Sequence, residues 1–368
     1  MNRMMKIQKV KISKLMMPLS KPFITNIRTS TKLQSLIYQI VLEDGSKGYG
    51  ESAENYKLTG ESFKDMVEYS KNIVDMITGM DVRSALSILT NTNQYHSSKY
   101  GIEVAMVDAI SQSEGKSIDK YLNIGEPMQY LQNDTTISVM NESDTRKATI
   151  STIRAGYKCI KYKVSRGTDE LNRILNVKDL LGKGVSIRID PNQAWSRQQA
   201  ITYIDKLQNS DIKVDFIEQP VNANDLDGMR EVKRFSHIPI VTDESVFGLE
   251  DAEKIINGKY ADLINIKLIK CGGPIEAIRI ANFAKKRRIR CLFGCTSEVN
   301  ISLSMAAYLS AGLSNVSFID LDGLDYVSDT PFSGGMIPSL NGKIYLPKTT
   351  GLGININPNS KYLTTIFE

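Results

Sequence analysis

From about residue 130 the chain repeats one beat: a short apolar, β-branched run, a stretch of mixed polar and apolar positions at helical spacing, then another run. The runs are Thr135–Val139, Cys159–Val164, Ser186–Asp190, Asp215–Gln219, Pro239–Glu244, Leu263–Leu268, Arg290–Cys295 and Phe318–Asp322. Their last residues lie 24 to 29 positions apart, which leaves room for one helix and two short loops, as in a β/α unit. Eight such strands favour a closed barrel over an open sheet. Residues 1–125 follow a different pattern. Strand-like segments at Ile7–Met17, Gln34–Leu42 and, after an Asp44-Gly45 turn, Lys47–Glu51 predict an antiparallel meander. Helical periodicity follows at Ser62–Ile77, Val82–Leu89 and Ile102–Gln112. The expected class is α/β: an α+β domain over 1–125, a β/α barrel over 126–322, and a Gly- and Pro-rich segment over 323–368 that packs back on the first domain.

Composition narrows the function classes. At 41% hydrophobic and 24% charged residues the chain is globular rather than disordered. The net charge of +5 is small, and Lys and Arg are scattered without an aromatic-interleaved basic stripe, so no nucleic-acid partner is expected. The densest basic run, Lys285 to Arg290, reads as the solvated end of a helix. No segment approaches the ~20 apolar residues of a membrane span, and the charged, alternating N-terminus lacks an apolar leader core. Cys159, Cys271, Cys291 and Cys295 form no CxxC pair and have no neighbouring histidine, which argues against zinc and for free thiols in a reducing, cytoplasmic setting. Only His96 and His237 are present, both in surface-like stretches. Acid–base chemistry in this chain must rest on lysines and carboxylates.

Barrel active sites lie at the C-terminal ends of the strands, and those ends are heavily charged here. The second strand carries Lys161 and Lys163, alternate residues that point the same way. The third ends in Asp190, the fourth in Glu218-Gln219-Pro220, and the fifth in Asp243-Glu244-Ser245. The sixth carries Asn265 and Lys267, and the eighth ends Asp320-Leu321-Asp322. A single strand-end Asp more often caps a helix. Three carboxylates on consecutive strands (Asp190, Glu218, Asp243) repel one another unless a cation joins them. Oxygen-only donors suit a hard ion such as Mg²⁺, one per subunit. Lys163 and Lys267 arise on opposite sides of the barrel, so a substrate held between them would meet one lysine on each face. A lysine beside a dication and other lysines is expected to have a lowered pKa.

The ordered set Ile160-Lys161-Tyr162-Lys163-Val164, Ile189-Asp190-Pro191-Asn192, Ile217-Glu218-Gln219-Pro220, Asp243-Glu244-Ser245 and Asn265-Ile266-Lys267 through Gly272-Gly273 resembles the enolase superfamily, in its muconate-lactonizing-enzyme-like subgroup. Gly48-Tyr49-Gly50-Glu51 resembles a turn of that family's first domain. The resemblance implies a modified TIM barrel, (β/α)7β, under an N-terminal capping domain. It also implies Asp190, Glu218 and Asp243 as Mg²⁺ ligands, Lys163 and Lys267 as the acid–base pair, and Lys161 as the stabiliser of an enediolate. The Asp320-Leu321-Asp322 motif is similar to that of dipeptide epimerases, where it receives the substrate ammonium; two carboxylates on one face complement a free amino terminus. The implied partner is a small dipeptide, L-Ala-L-Xaa, converted to its L,D form, in a chain compatible with a homo-oligomer.

The stretch from Pro18 to Thr29 resembles a mobile loop that covers the site near 20–30, and places Arg28 where Ala-Glu epimerases hold a γ-carboxylate. Thr136 and Cys295 are expected to line the pocket. The polar Cys295-Thr296-Ser297-Glu298 loop departs from the Ala-Glu pattern, so broad or hydrophobic dipeptide specificity, an N-acylamino acid racemase and an o-succinylbenzoate synthase remain alternatives. A non-catalytic small-molecule-binding barrel is a more remote one.

Overall fold

The computed structural model describes residues 4–26, 28–92, 96–167 and 169–368, without the side chains of His96 and Asp169. Ile27, within the expected covering loop, lies outside the described residues. The N-terminal sheet is built from β1 (Ile7–Ile24), β2 (Thr29–Leu42) and β3 (Lys47–Ala53), all antiparallel. Val10 and Ile12, then Leu15 and Met17 beyond a register shift at Ile12/Ser13, face the core from β1. Among the described residues five helices follow: α1 (Tyr56–Thr59), α2 (Phe63–Ile77), α3 (Val82–Thr90), α4 (His96–Ser113) and α5 (Ile118–Leu122). α2 starts where Ser62 and Asp65 cap each other's backbone N–H groups, a device worth about 1 kcal/mol. Its Met66, Ser70, Val74 and Ile77 form the buried stripe. α4 is buried on all sides from Ser97 to Ser111 because it lies between sheet and barrel. β3 approaches it so closely that a Cβ at Gly50 would stand 1.7 Å from the Gly101 carbonyl oxygen; side chains at these glycines would push the two elements apart.

After a short strand β4 (Leu131–Gln132) come the barrel strands: β5 (Thr135–Ile137), β6 (Cys159–Lys163), β7 (Ser186–Asp190), β8 (Val214–Glu218), β9 (Ile240–Thr242), β10 (Leu263–Ile266), β11 (Arg290–Gly294) and β12 (Val316–Asp320). They form one parallel sheet in sequence order. Among the described residues one long helix fills each of the seven gaps (142–154, 169–175, 197–208, 226–235, 249–257, 274–286 and 300–312), with a short turn of helix at 268–271, so the architecture is (β/α)7β with an N-terminal sheet domain. Among the described residues no ladder joins β12 to β5. Asn133 Oδ1 instead accepts the Leu321 N–H at 2.8 Å, and Asp322 Oδ2 accepts the Thr136 N–H at 2.7 Å. That seam places Asp322 against β5.

Inward-pointing residues of the barrel form layers. Phe216, Val241, Leu263 and Leu292 make an apolar floor, with Phe318 beside them. Arg188 lies between the rings of Phe216 and Phe318, 5.1 Å from each, and pairs with Asp134 Oδ2 at 2.6 Å. One residue-pair higher, the same strands present charge.

The remaining segment forms β13 (Phe332–Gly334), β14 (Ile337–Pro338), β15 (Lys343–Tyr345), β16 (Ile354–Ile356) and β17 (Leu363–Phe367). β17 pairs with β1 and completes the N-terminal sheet. The expected covering loop is a difference: residues up to Ile24 and from Thr29 continue β1 and β2 as a ribbon, with the register broken between Pro18 and Phe23. Its tip donates the Ile24 N–H to Ser138 Oγ (3.3 Å) just past β5. No helix among the described residues is long and apolar enough to cross a membrane.

Candidate active site

The sequence placed its candidates at strand ends, and the geometry brings them to one place. Lys161 and Lys163 are alternate residues of β6, both buried. Lys161 Nζ touches three carboxylates: Asp320 Oδ2 at 2.6 Å, Glu218 Oε2 at 2.7 Å and Asp190 Oδ2 at 2.9 Å. Lys163 Nζ is 2.5 Å from Asp190 Oδ2. Lys267, directly after β10 and four strands from β6, is 2.7 Å from Asp243 Oδ2 and 3.9 Å from Glu218 Oε1. Asn265 Nδ2 donates to Glu218 Oε1 at 2.8 Å.

These charges set each other's protonation. Burial works to strip Lys161 of its proton, but Asp190, Asp320 and Glu218 outweigh it and hold the ammonium well above its ordinary range. Lys267 is likewise raised, burial being overcome by Asp243 and Glu218. Among the protein's own groups Lys161 and Lys267 are thus raised, not lowered, because carboxylates rather than cations are their nearest neighbours. Burial opposes ionisation of Asp190 and Asp243 as well. Lys161 and Lys163 hold the first low, and Lys267 and Lys270 the second. Glu218 is raised, by burial and then by Asp190.

Six carboxylates (Asp190, Glu218, Asp243, Glu244, Asp320, Asp322) share this mouth with four lysines (161, 163, 267 and 270). The excess negative charge is visible in two groups. Burial, then Asp243 and Asp190, push Glu244 up to about 7, and burial, then Asp320 and Asp325, push Asp322 up to about 7. Asp320 differs from its neighbour: burial opposes its ionisation, but Lys161 holds it down at about 2. Glu244 Oε2 and Asn192 Oδ1 are buried without a hydrogen-bond partner. An all-oxygen donor set with a deficit of positive charge and orphaned buried oxygens fits a hard divalent cation. Among the described residues Asp134, Asp320 and Asp322 bring carboxylate oxygens within 4.8 Å of one another. Arg188 and Lys161 already pair with the first two.

A cavity of about 720 Å³, open mouth included, joins these groups to the N-terminal domain. Lys163 and Lys267 both line it, with Asp243, Asp320, Asp322, Thr136 and Cys295. Cys295 Sγ lies 3.9 Å from Asp322 Oδ1. From the ribbon, Phe23 stacks edge-on against Tyr326 at 5.0 Å, and its ring centroid is 6.0 Å from Lys163 Nζ. Arg28 reaches the cavity at the ribbon tip, donating to Ser297 Oγ at 3.3 Å. Burial lowers its pKa, with Glu54 opposing.

Several participants were not singled out from the sequence. Lys270 Nζ donates to the Asp243 carbonyl at 2.5 Å and pairs with Asp243 Oδ1 at 2.6 Å. A Cβ at Gly294 would stand 2.7 Å from Lys267 Cε, so the empty position on β11 is what lets Lys267 extend. Arg188 had a signal, since it shares parity with Asp190 on β7.

Residues 144–360 match the sequence profile of the enolase C-terminal domain-like family. The chain belongs to that family. This enolase-family chain is 32% identical to the L-Ala-D/L-Glu epimerase of Clostridium acetobutylicum over 95% of its length and 98% of the relative's. Among solved structures it superposes on the substrate-liganded L-Ala-D/L-Glu epimerase of Bacillus subtilis with TM-score 0.90 at 29% identity, covering 95% and 98% of the two chains. The dipeptide epimerase of Enterococcus faecalis, complexed with Mg and L-Leu-L-Tyr, matches with TM-score 0.89 at 27% identity over 95% and 99%.

Proposed function

We propose that this chain is a Mg²⁺-dependent dipeptide epimerase that interconverts L-Ala-L-Xaa and L-Ala-D-Xaa, with an acidic second residue preferred. The observation that carries the reading is the pair of lysines, Lys163 and Lys267, lining one cavity from strands on opposite sides of the barrel. Each lysine serves one face of the α-carbon: one removes the proton and the other returns it, so the planar enediolate is reprotonated with either configuration. Lys161, fixed by three carboxylates, directs its positive charge at the oxygen on which negative charge develops. Asp190, Glu218 and Asp243 would hold a Mg²⁺ ion, which would supply positive charge to offset these carboxylates and polarise a substrate carboxylate. Asp320 and Asp322 receive the substrate ammonium, with Thr136 and Cys295 beside them. Arg28 meets an acidic side chain, and the ribbon excludes water. The same reading divides the chain into a capping domain over 1–125, a catalytic barrel over 126–322 and a returning segment over 323–368.

The test is α-proton exchange in D₂O followed by NMR, with Mg²⁺ and L-Ala-L-Xaa dipeptides beside N-acyl amino acids. Deuterium at the second α-carbon together with L/D scrambling is expected. Turnover of acyl substrates alone would replace the reading with an acylamino-acid racemase.

Two further outcomes are expected. Gly294→Ala crowds Lys267, and misplacement of a catalytic group on this scale costs roughly 10²-fold in turnover; Gly294→Ser is expected to be worse, and a turnover equal to wild type in both would remove Gly294 from the account. The second concerns pH. Asp322 titrates at about 7 and must be ionised to hold an ammonium, while a free amino terminus loses its proton at about 7.7–8.0. Ionisation of a carboxylate raised to about 7 is lost as pH falls, so KM at pH 6 is expected to exceed that at pH 7.5 by roughly 10-fold. Asp322→Asn should raise KM and flatten this acid limb; a flat wild-type KM over the same range would contradict the ammonium role.

A further inference from the structure

The turn Gly48-Tyr49-Gly50-Glu51 marks the N-terminal domain, yet the proposed chemistry gives Glu51 no task. Glu51 is fully buried at the inner end of β3. The helix 300–312 of the barrel begins behind Val299, whose apolar side chain offers no cap. Glu51 supplies one from the other domain's sheet. Its two oxygens each lie 3.1 Å from the Val299 N–H donor, and Oε2 also accepts the Ser302 N–H at 3.3 Å. Ser35 Oγ donates to Oε1 at 3.0 Å. Helix N-termini carry orphan N–H groups, and a carboxyl oxygen there satisfies them.

The segment entering that helix is the loop Cys295–Glu298. Cys295, Thr296 and Ser297 line the cavity, and Ser297 Oγ accepts from Arg28. Glu298, buried beneath, accepts from Tyr100 of α4 at 3.3 Å and from the Thr296 N–H at 3.4 Å. One side of the cavity is thus anchored on N-terminal-domain residues that never reach the substrate.

We propose that Glu51 is a positioning residue: by capping the barrel helix from the neighbouring domain it fixes the Cys295–Glu298 loop and, through Ser297, the direction in which Arg28 meets the second residue of the dipeptide. The inference rests on the proposed acidic preference at Arg28. Burial, with Glu298 adding to it, pushes Glu51 up to about 8, so glutamine is a close substitute near neutrality, keeping an acceptor oxygen without adding charge.

The experiment compares Glu51→Ala, Glu51→Gln and Asp108→Ala in the full-length protein. Asp108 is a matched control: it is equally buried and ties the same domain to the C-terminal segment through the Leu352 N–H at 2.7 Å, away from the cavity. Selectivity is read as kcat/KM for L-Ala-L-Glu over L-Ala-L-Leu, and loop order as amide hydrogen exchange over 296–302. Glu51→Ala is expected to lower selectivity roughly 10-fold or more, through KM for the acidic substrate, with Glu51→Gln staying within about 3-fold of wild type. Asp108→Ala should lower the melting temperature while leaving selectivity unchanged. Exchange over 296–302 should accelerate in Glu51→Ala alone. Unchanged exchange in Glu51→Ala overturns the proposal, and so does accelerated exchange with unaltered selectivity. If the wild type itself shows no acidic preference, the reading of Arg28 fails, and the exchange data alone then decide whether Glu51 fixes the loop.

Discussion

Lys163→Met and Lys267→Met are each expected to abolish epimerisation, by at least ~10³-fold, while each retains α-proton exchange on one epimer, and on opposite epimers. Methionine keeps the aliphatic stem and removes only the ammonium, so packing changes little. The one-sided exchange follows from geometry: β6 and β10 are four strands apart in an eight-stranded sheet, and both side chains reach one cavity. A substrate held between them meets a single lysine on each face, and removing one leaves the other able to take and return a proton on its own side. The check is deuterium incorporation into L-Ala-L-Glu and L-Ala-D-Glu, measured separately for each variant. Equal loss of exchange on both epimers in both variants would mean that the lysines hold Asp190 and Asp243 rather than carry the proton. Each removal also takes one of two lysines from a buried carboxylate, leaving Asp190 with Lys161 at 2.9 Å and Asp243 with Lys270 at 2.6 Å, and so costs stability. Melting temperatures should therefore accompany the exchange rates.

Much of this arrangement was legible in the chain because two periodicities carry it. Alternation within strands placed Lys161 with Lys163 and Asn265 with Lys267 on shared faces, and the β/α beat put Asp190, Glu218 and Asp243 at successive strand ends. What stayed hidden depends on contacts between distant segments. Gly294 appears as an ordinary glycine until Lys267 is seen crossing the space a side chain would fill. Lys270 follows Lys267 by one turn, and nothing local shows that it bends back to the Asp243 carbonyl. The expectation of a loop over 20–30 rests on resemblance alone, and Pro18 and Pro22 interrupt the alternation that would have marked a strand there. Strand pairing resumes beyond them at Phe23 and Ser30, where proline's missing N–H no longer matters. Lys161 and Lys267 are raised because carboxylates are the groups in contact with them, whereas the expectation weighed an ion and neighbouring lysines.

Removal of divalent ions by a chelator is expected to lower turnover by on the order of 10³-fold, with activity restored by Mg²⁺, since charge stabilisation by such an ion contributes several kcal/mol at ~1.36 kcal/mol per tenfold. With six carboxylates facing four lysines at the mouth, and with Glu244 and Asp322 pushed up to about 7, the site carries more negative charge than its own cations neutralise. A divalent ion that binds the folded chain must then raise its melting temperature in proportion to RT ln(1 + [Mg²⁺]/Kd), with no substrate present. Glu218→Gln removes one carboxylate from the centre of the array, where Lys161 at 2.7 Å and Asn265 at 2.8 Å hold it, and is expected to abolish that rise. Asp134→Asn offers the contrast. Asp134 has a carboxylate oxygen within 4.8 Å of those of Asp320 and Asp322, but its charge is already matched by Arg188. If the Mg²⁺-dependent rise survives in Glu218→Gln and disappears in Asp134→Asn, the ion lies on the β12 side of the barrel, and the assignment of Asp190, Glu218 and Asp243 as its ligands falls.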